Sequence, residues 1–296
     1  MRICTFAIAL IVPSALALTG PVAPTYAAAA VCQGQPATIE GSTGTITGTE
    51  GNDVIVSTGA ATKVDALGGN DLICVVGGDV STGLGDDSVV STAPVSSIST
   101  AYLVGGTDSY VGGAGSLDVI VDEITSFHVT MGGGFGTLRL YPTSTPGSGT
   151  VDFGTSIGML YAFGEKQSKV DLAAQTASVD GLLNVSTIGL RNAIATGCKV
   201  RMKGDEEDNG LSAYGHDIVV SAGGGRDRLG RVGNGFDLDL PKCGRYRSVF
   251  RGQAGPDRLF GRAGDDVLIG GPGRDVADGE GGVDTCRAEV RKRCER

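Results

Sequence analysis

Tryptophan is absent from this 296-residue chain, and Phe, Trp and Tyr together make up 5% of it. A large conventional core wants more bulk than that, so the composition suits a narrow fold lined by small aliphatic side chains. Histidine occurs only at His128 and His216. HExxH is missing, which excludes a zinc protease of that type. No stretch beyond residue 30 is apolar enough to cross a bilayer. No helical periodicity persists beyond about two or three turns. Net positive charge is missing too: the formal charge is −9. An acidic chain is a poor partner for nucleic acid or anionic lipid and a good one for cations. The acidity is uneven, because residues 220–296 hold fifteen Lys or Arg against twelve Asp or Glu. The basic stretch RAEVRKRCER, residues 287–296, reads as a solvated cap or as a contact for anionic cell-surface polymer.

Residues 1–30 stand apart. Arg2 precedes the short apolar run FAIALIVPSALAL, and TYAAAA offers small residues for cleavage near Ala27 to Ala30. This is the pattern of a secretory signal peptide and not of a membrane span. Its loss would remove Cys4 and leave six cysteines, which in an exported chain read as disulfides. Cys286 and Cys294 are expected to close a local loop. Order along the chain suggests Cys32 with Cys74 and Cys198 with Cys243, one of the fifteen pairings open to six cysteines.

Glycine, in contrast, is plentiful, at 50 residues. Much of it follows a beat. From Gly252 the sequence divides into GQAGPDRLF, GRAGDDVLI, GGPGRDVAD and GEGGVDTCR, four consecutive nines. Their first glycines are Gly252, Gly261, Gly270 and Gly279, and their sixth residues are Asp257, Asp266, Asp275 and Asp284. A weaker copy near the N-terminus has GTEGNDVIV with Asp53 and, 18 residues on, ALGGNDLIC with Asp71. TGLGDDSVV adds Asp87, two residues out of phase. Glycine takes positive φ cheaply, so such a hexapeptide curls and turns its carbonyls inward. Carbonyl and carboxylate oxygens at close range suit a hard cation, and calcium accepts six to eight of them in irregular geometry. The last three residues of each nine form a short strand with its middle residue inward. Those inward residues are Leu259, Leu268, Ala277 and Cys286.

The pattern resembles the hemolysin-type, or RTX, repeat GGxGxDxUx, a calcium-binding nonapeptide. The resemblance implies an all-β fold: a parallel β-roll or β-helix solenoid in which two nines make one turn, with calcium shared between loops one turn apart. Asp257 would then pair with Asp275, Asp266 with Asp284, and Asp53 with Asp71, aided by loop carbonyls of Gly252, Gly261, Gly270 and Gly279. The second glycine is replaced at Gln253, Arg262 and Glu280, which predicts imperfect turns. With less specificity the resemblance extends over residues 169–178, 188–197 and 204–229, placing Asp217 and Asp227 in Asp positions and Asn209 where an earlier Asp would stand.

The resulting organisation is a signal peptide over 1–30, an N-terminal roll over 31–90, and a β-rich middle over 91–203. A C-terminal calcium-binding roll follows over 204–287, and a basic, disulfide-closed cap over 288–296. The middle reads as wider or degenerate rungs, or as a small inserted β-sandwich. LVGGTDSYV and GGAGSLDVIV look like decayed repeats, and PTSTPGSG at 142–149 reads as a loop or linker. GTSIG at 154–158 matches a nucleophile-elbow pattern that needs strand, sharp turn and helix. Its sequel GMLYAFGEK is glycine-broken, so Ser156 reads as a turn serine. His216 reads as an exposed spacer and His128 as a strand residue, neither of them catalytic. Two functions remain: a secreted calcium-binding roll with a structural, adhesive or surface-binding role, its partners calcium and an extracellular or cell-surface polysaccharide; or a secreted polysaccharide lyase or epimerase carrying rolls as export modules.

Overall fold

Small aliphatic residues alternate with polar ones along most segments, and that pattern makes strands with one buried side. The computed structural model describes residues 29–231, 243 and 247–295. Among them there is no helix, and the chain winds as a mainly parallel β-solenoid of about 13 turns. The signal-peptide expectation falls almost wholly on residues 1–28, outside the described residues.

Each turn gives one strand to each of two faces. The first face begins with Ile39–Gly41, Val54–Ser57, Leu72–Val75 and Ser88–Ser91, and continues through Thr107–Val111, Ser126–Thr130 and Gly147–Asp152, all parallel. The second runs from Thr45–Thr47, Lys63–Asp65 and Gly78–Ser81 through Ile98–Val104, Ser116–Asp122, Phe135–Leu140 and Ile157–Phe163. Two long strands, Asn192–Lys203 and Gly210–Gly223, serve both faces, their first halves on the second face and their second halves on the first. The nines complete the stack. Arg258–Ala263 and Val276–Gly281 lie on the second face, and Arg247–Gln253, Asp266–Ile269 and Thr285–Arg287 on the first.

The middle is therefore solenoid throughout, with rungs of unequal length. Ile98 pairs with Ser116, 18 residues on, and Phe135 with Ile157, 22 on. Residues 142–146 only turn a corner, because Gly147 already begins a strand. One excursion breaks the parallel rule. Gln167–Asp171 and Thr176–Val179 form an antiparallel meander with Leu183–Ile188, inserted into the first face between Gly147–Asp152 and Asn192–Lys203. The first face thus gains two strands that the second lacks. An open cleft of about 1030 Å³ lies over this insertion, lined by residues of the surrounding strands.

The interior is built around two facing columns of mostly aliphatic side chains. On the first face Ile55, Ile73, Val89, Tyr110, Val129 and Val151 stack in register, all buried. On the second, Val64, Val80, Ala101, Val119, Leu138 and Leu160 do the same. Aliphatic residues supply most of the buried side chains, with Tyr110, Phe127, Phe153, Phe163 and Phe250 among the few aromatics, which explains how so aromatic-poor a chain folds. Burying each such side chain is worth about 1.5–3 kcal/mol, and only stacking achieves it. The hairpin Val31–Cys32 and Gln35–Pro36 packs at the N-terminal end, tied to the roll by Cys32–Cys74. Cys198–Cys243 and Cys286–Cys294 are also bonded, and Cα separations in the three disulfides are 5.5, 5.3 and 5.9 Å.

Candidate metal centres

In each nine the sixth-position aspartate precedes or opens a strand, and the preceding glycine loop turns it toward the interior. Asp257, Asp266, Asp275 and Asp284 are all at most 1% exposed. Burying a carboxylate is costly unless each oxygen is engaged. One oxygen is engaged in a regular way. The Asp257 amide donates to Asp275 Oδ1 one turn later at 2.9 Å, and the Asp266 amide to Asp284 Oδ1 at 2.9 Å. Upstream, Asn209 donates to Asp227 Oδ1 (2.8 Å) and Asp227 to Asp257 Oδ1 (2.9 Å). The N-terminal roll repeats the device: Asp53 to Asp71 (2.8 Å), Asp71 to Asp87 (2.8 Å) and Asp87 to Asp108 (3.2 Å). The offset of Asp87 is absorbed because its turn is two residues shorter, with Leu72 in register with Ser88.

The second oxygen is left over. Among the described residues Oδ2 of Asp71, Asp87, Asp227, Asp257, Asp275 and Asp284 is buried without a hydrogen-bond partner. Such an anionic atom demands a cation or protonation. Beside it there is space made by glycine. A Cβ on Gly252 would stand 2.2 Å from Asp257 Oδ2 and 2.7 Å from the Gly270 carbonyl oxygen. On Gly279 it would stand 2.3 Å from Asp284 Oδ2 and 2.2 Å from the Arg293 carbonyl oxygen. The first glycine of the nine is thus where a carboxylate oxygen and a main-chain carbonyl converge. Where the second glycine is replaced the turn keeps its shape at a cost in backbone strain. Gln253, Arg262 and Glu280 take φ of 77°, 79° and 67°, the left-handed conformation of the glycines they replace.

Burial is the main cause of carboxyl shifts here. It pushes Asp87 and Asp257 up to about 6 and Asp108 and Asp227 up to about 7, against the lowering effect of the donated hydrogen bonds and with help from carboxylates one turn away. Asp71, Asp275 and Asp284 shift upward for the same reason. Asp53 goes the other way: burial raises it, but the Thr49 amide and the Thr49 and Thr38 hydroxyls outweigh that and hold it below its ordinary value. The raised groups bind protons more tightly folded than unfolded. They stabilise the metal-free fold fully below about pH 4, and that contribution is lost as pH rises through about 6–7. In chelator, therefore, the urea midpoint is expected to fall between about pH 5 and 7.5, and with saturating calcium the trend should reverse, since ligation needs ionised carboxylates. A metal-free stability that climbs with pH would contradict this electrostatic picture.

The ladders include members that the nine-residue beat does not reveal. Asp108 ends the N-terminal one, its Oδ2 taking the Thr82 hydroxyl at 2.8 Å. Glu289 and Glu295 end the C-terminal two, accepting the Asp275 and Asp284 amides at 2.8 and 2.7 Å. Their extra methylene spans a shortened last turn. Asp53 begins its ladder with both oxygens already held, by Thr38 and Thr49. Asp217, expected in an Asp position of the repeat, instead lies within the strand Gly210–Gly223 and pairs with Arg201. His216, expected exposed, is buried on the same strand. Ser156 is a turn residue whose hydroxyl donates to the Gly132 carbonyl at 2.8 Å, and no helix follows it.

Comparison with known families decides what the clean nines are. Residues 251–286 match the RTX calcium-binding nonapeptide repeat, in four copies. The chain thus carries RTX calcium-binding repeats on a β-solenoid. No curated protein matches the chain. Among the described residues no group of three or more His, Cys, Asp or Glu side chains is placed to hold a metal. A cation in the RTX loops would therefore draw on main-chain carbonyls together with aspartates, an all-oxygen set that suits calcium and not zinc.

Proposed function

We propose that this is an exported protein whose roll is consolidated outside the cell by calcium, and that it serves as a structural or surface-binding element without turnover. The observation that carries the reading is the set of buried Oδ2 atoms, without a partner among the described residues, that repeats from turn to turn. Asp227, Asp257, Asp275 and Asp284, with Asp266 and with loop carbonyls from the turns at Gly252, Gly261, Gly270 and Gly279, would hold the ions of the C-terminal roll. Asp71 and Asp87 would do so in the N-terminal one. Asp53, its oxygens held by threonines, contributes a shared ladder contact more than a free ligand. Bound calcium supplies positive charge where like-charged carboxylates converge. Without it those carboxylates oppose stacking, so export would proceed with a looser chain. Sites of about 10⁻⁴ to 10⁻³ M affinity suffice in an extracellular setting. Three disulfides and the apolar leader-like segment support that setting.

The rival reading, a carbohydrate-active enzyme, needs an acid–base pair open to substrate. In the first-face cleft the carboxylates are engaged: Asp171 pairs with Lys203, and buried Asp108 accepts the Thr82 hydroxyl and the Asp87 amide, while nearby Asp217 pairs with Arg201. Turnover of an acidic polysaccharide by the purified protein would establish the rival. The direct test of the proposal is a calcium titration of residues 31–296 with disulfides intact, followed by far-UV circular dichroism and calorimetry. Cooperative gain of β-structure with calcium and not magnesium is expected. A chain fully folded in chelator, with no heat on adding calcium, would overturn it.

A further inference from the structure

The cleft over the antiparallel insertion is a second site, far in character from the aspartate ladders. Strand register builds it as two parallel rows of outward side chains. In one row Thr107, Ser126, Ser148, Asn184 and Ser178 follow each other on successive strands. That row continues into Lys169 and then Arg201. In the other, Ser109, His128, Thr150, Ser186 and Thr176 lead to Asp171 and Lys203. All these residues line the same cleft. Adjacent strands lie about 4.8 Å apart, so the seven strands span about 29 Å.

The chemistry of the rows selects a ligand. Hydroxyls and amides both donate and accept, and they recur at a spacing close to the advance of one sugar ring along an extended glycan. Among the described residues no Phe or Tyr faces the cleft as a stacking platform: Phe127 belongs to the lining but is buried at 2% exposure. Affinity must then come from hydrogen bonds and charge. The charge is cationic and gathered at one end. Lys203 is partly offset by Asp171 at 3.7 Å, and Arg201 pairs with Asp217. Among the described residues no carboxylate pairs with Lys169, which lies in register between Ser178 and Arg201. A peptide would seek a sheet edge and not this outward surface. A nucleic acid would want a broad basic field, whereas the cations lining this cleft, Lys169, Arg201 and Lys203, are confined to one end of it.

We propose that the cleft binds an extended anionic glycan, its hydroxyls along the Ser/Thr rows and a carboxylate or sulfate at Lys169. The meander is what makes the site, because it lengthens the first face with two hydroxyl-bearing strands that no repeat requires. The test uses the calcium-saturated protein, its fold followed by circular dichroism in every arm. Probes are a short oligouronate, a sulfated oligosaccharide of equal length and a neutral glucan oligomer, with binding read by calorimetry. Binding of one anionic probe, weakening with added salt, and absence of binding by the neutral one are expected. Lys169→Ala should weaken binding by about tenfold with the fold unchanged, and Lys169→Arg should retain it. The preferred anionic probe tells carboxylate from sulfate. The proposal fails if neither anionic probe binds the folded protein, or if Lys169→Ala with Lys203→Ala leaves binding unchanged. Both results would leave the calcium reading intact, since that is read from the titration of folding.

Discussion

Asp257→Ala is expected to raise the calcium concentration needed to fold the C-terminal roll by about tenfold or more, and also to weaken that roll in chelator. The two effects have separate causes. Asp257 Oδ1 accepts the Asp227 amide at 2.9 Å, and alanine strands that buried donor at a cost of about 1–3 kcal/mol. Asp257 Oδ2 has no partner among the described residues and is a proposed calcium ligand. Asp257→Asn separates the causes. The amide keeps an acceptor for Asp227 and removes a carboxyl that burial has pushed up to about 6. In chelator near neutral pH the asparagine variant should therefore be as stable as the parent or more so, yet it should share the raised calcium midpoint. If both variants keep the parental midpoint, Asp257 ligates nothing and the ladder is purely a hydrogen-bonding device.

The largest purely structural effect is expected at Gly132. This residue follows the strand Ser126–Thr130, where one turn passes directly over Gly112 and Gly113 of the turn before. A Cβ on Gly132 would stand inside the Gly113 carbonyl oxygen, at 1.3 Å. That oxygen cannot retreat freely, since it accepts the Gly133 amide at 3.0 Å. Gly132→Ala is expected to cost about 3 kcal/mol or more, measured by denaturation in saturating calcium. Gly181→Ala is the comparison: its φ is 75° but nothing lies within 4 Å of its Cβ, so only about 1–2 kcal/mol of backbone strain applies. Equal losses at the two positions would mean that the turns are looser at 113 and 132 than the structure shows.

These sites differ in how openly the sequence announces them. The nine-residue beat marks Asp257, Asp266, Asp275 and Asp284, and the inward places of Leu259, Leu268, Ala277 and Cys286, because within regular turns residue count and position in space advance together. The ladders, however, count turns and not residues. Asp87 reaches Asp108 across 21 residues, Asp227 reaches Asp257 across 30, and Asp275 reaches Glu289 across 14. No fixed period finds Asp108, Glu289 or Glu295, although the GGTD of residues 105–108 is a local trace of the first. The meander is hidden for another reason. Its residues alternate inward and outward as a parallel rung does, so the period of two is the same for either strand direction. Only the pairing partner tells them apart. Asp217 was misplaced because the GHD at 215–217 mimics a loop ending in aspartate, whereas Arg201 one turn earlier makes the carboxylate part of a surface pair.

The ladder hydrogen bonds all point one way along the chain: an amide of an earlier turn gives to a carboxylate of the next. Considered as an order of construction, the ladder amide of each turn is therefore satisfied only by its successor. A chain assembled from its N-terminal side carries an unfilled donor at its leading turn until Glu289 and Glu295 close the last two. Cutting away residues 288–295 would leave the Asp275 and Asp284 amides open and strip Val276–Gly281 of its partner strand Val290–Lys292. That surface would be a template with its register already set, and the nearest matching carboxylates would be those of another molecule. In the chain as it stands Glu289 and Glu295 fill both of those donors instead.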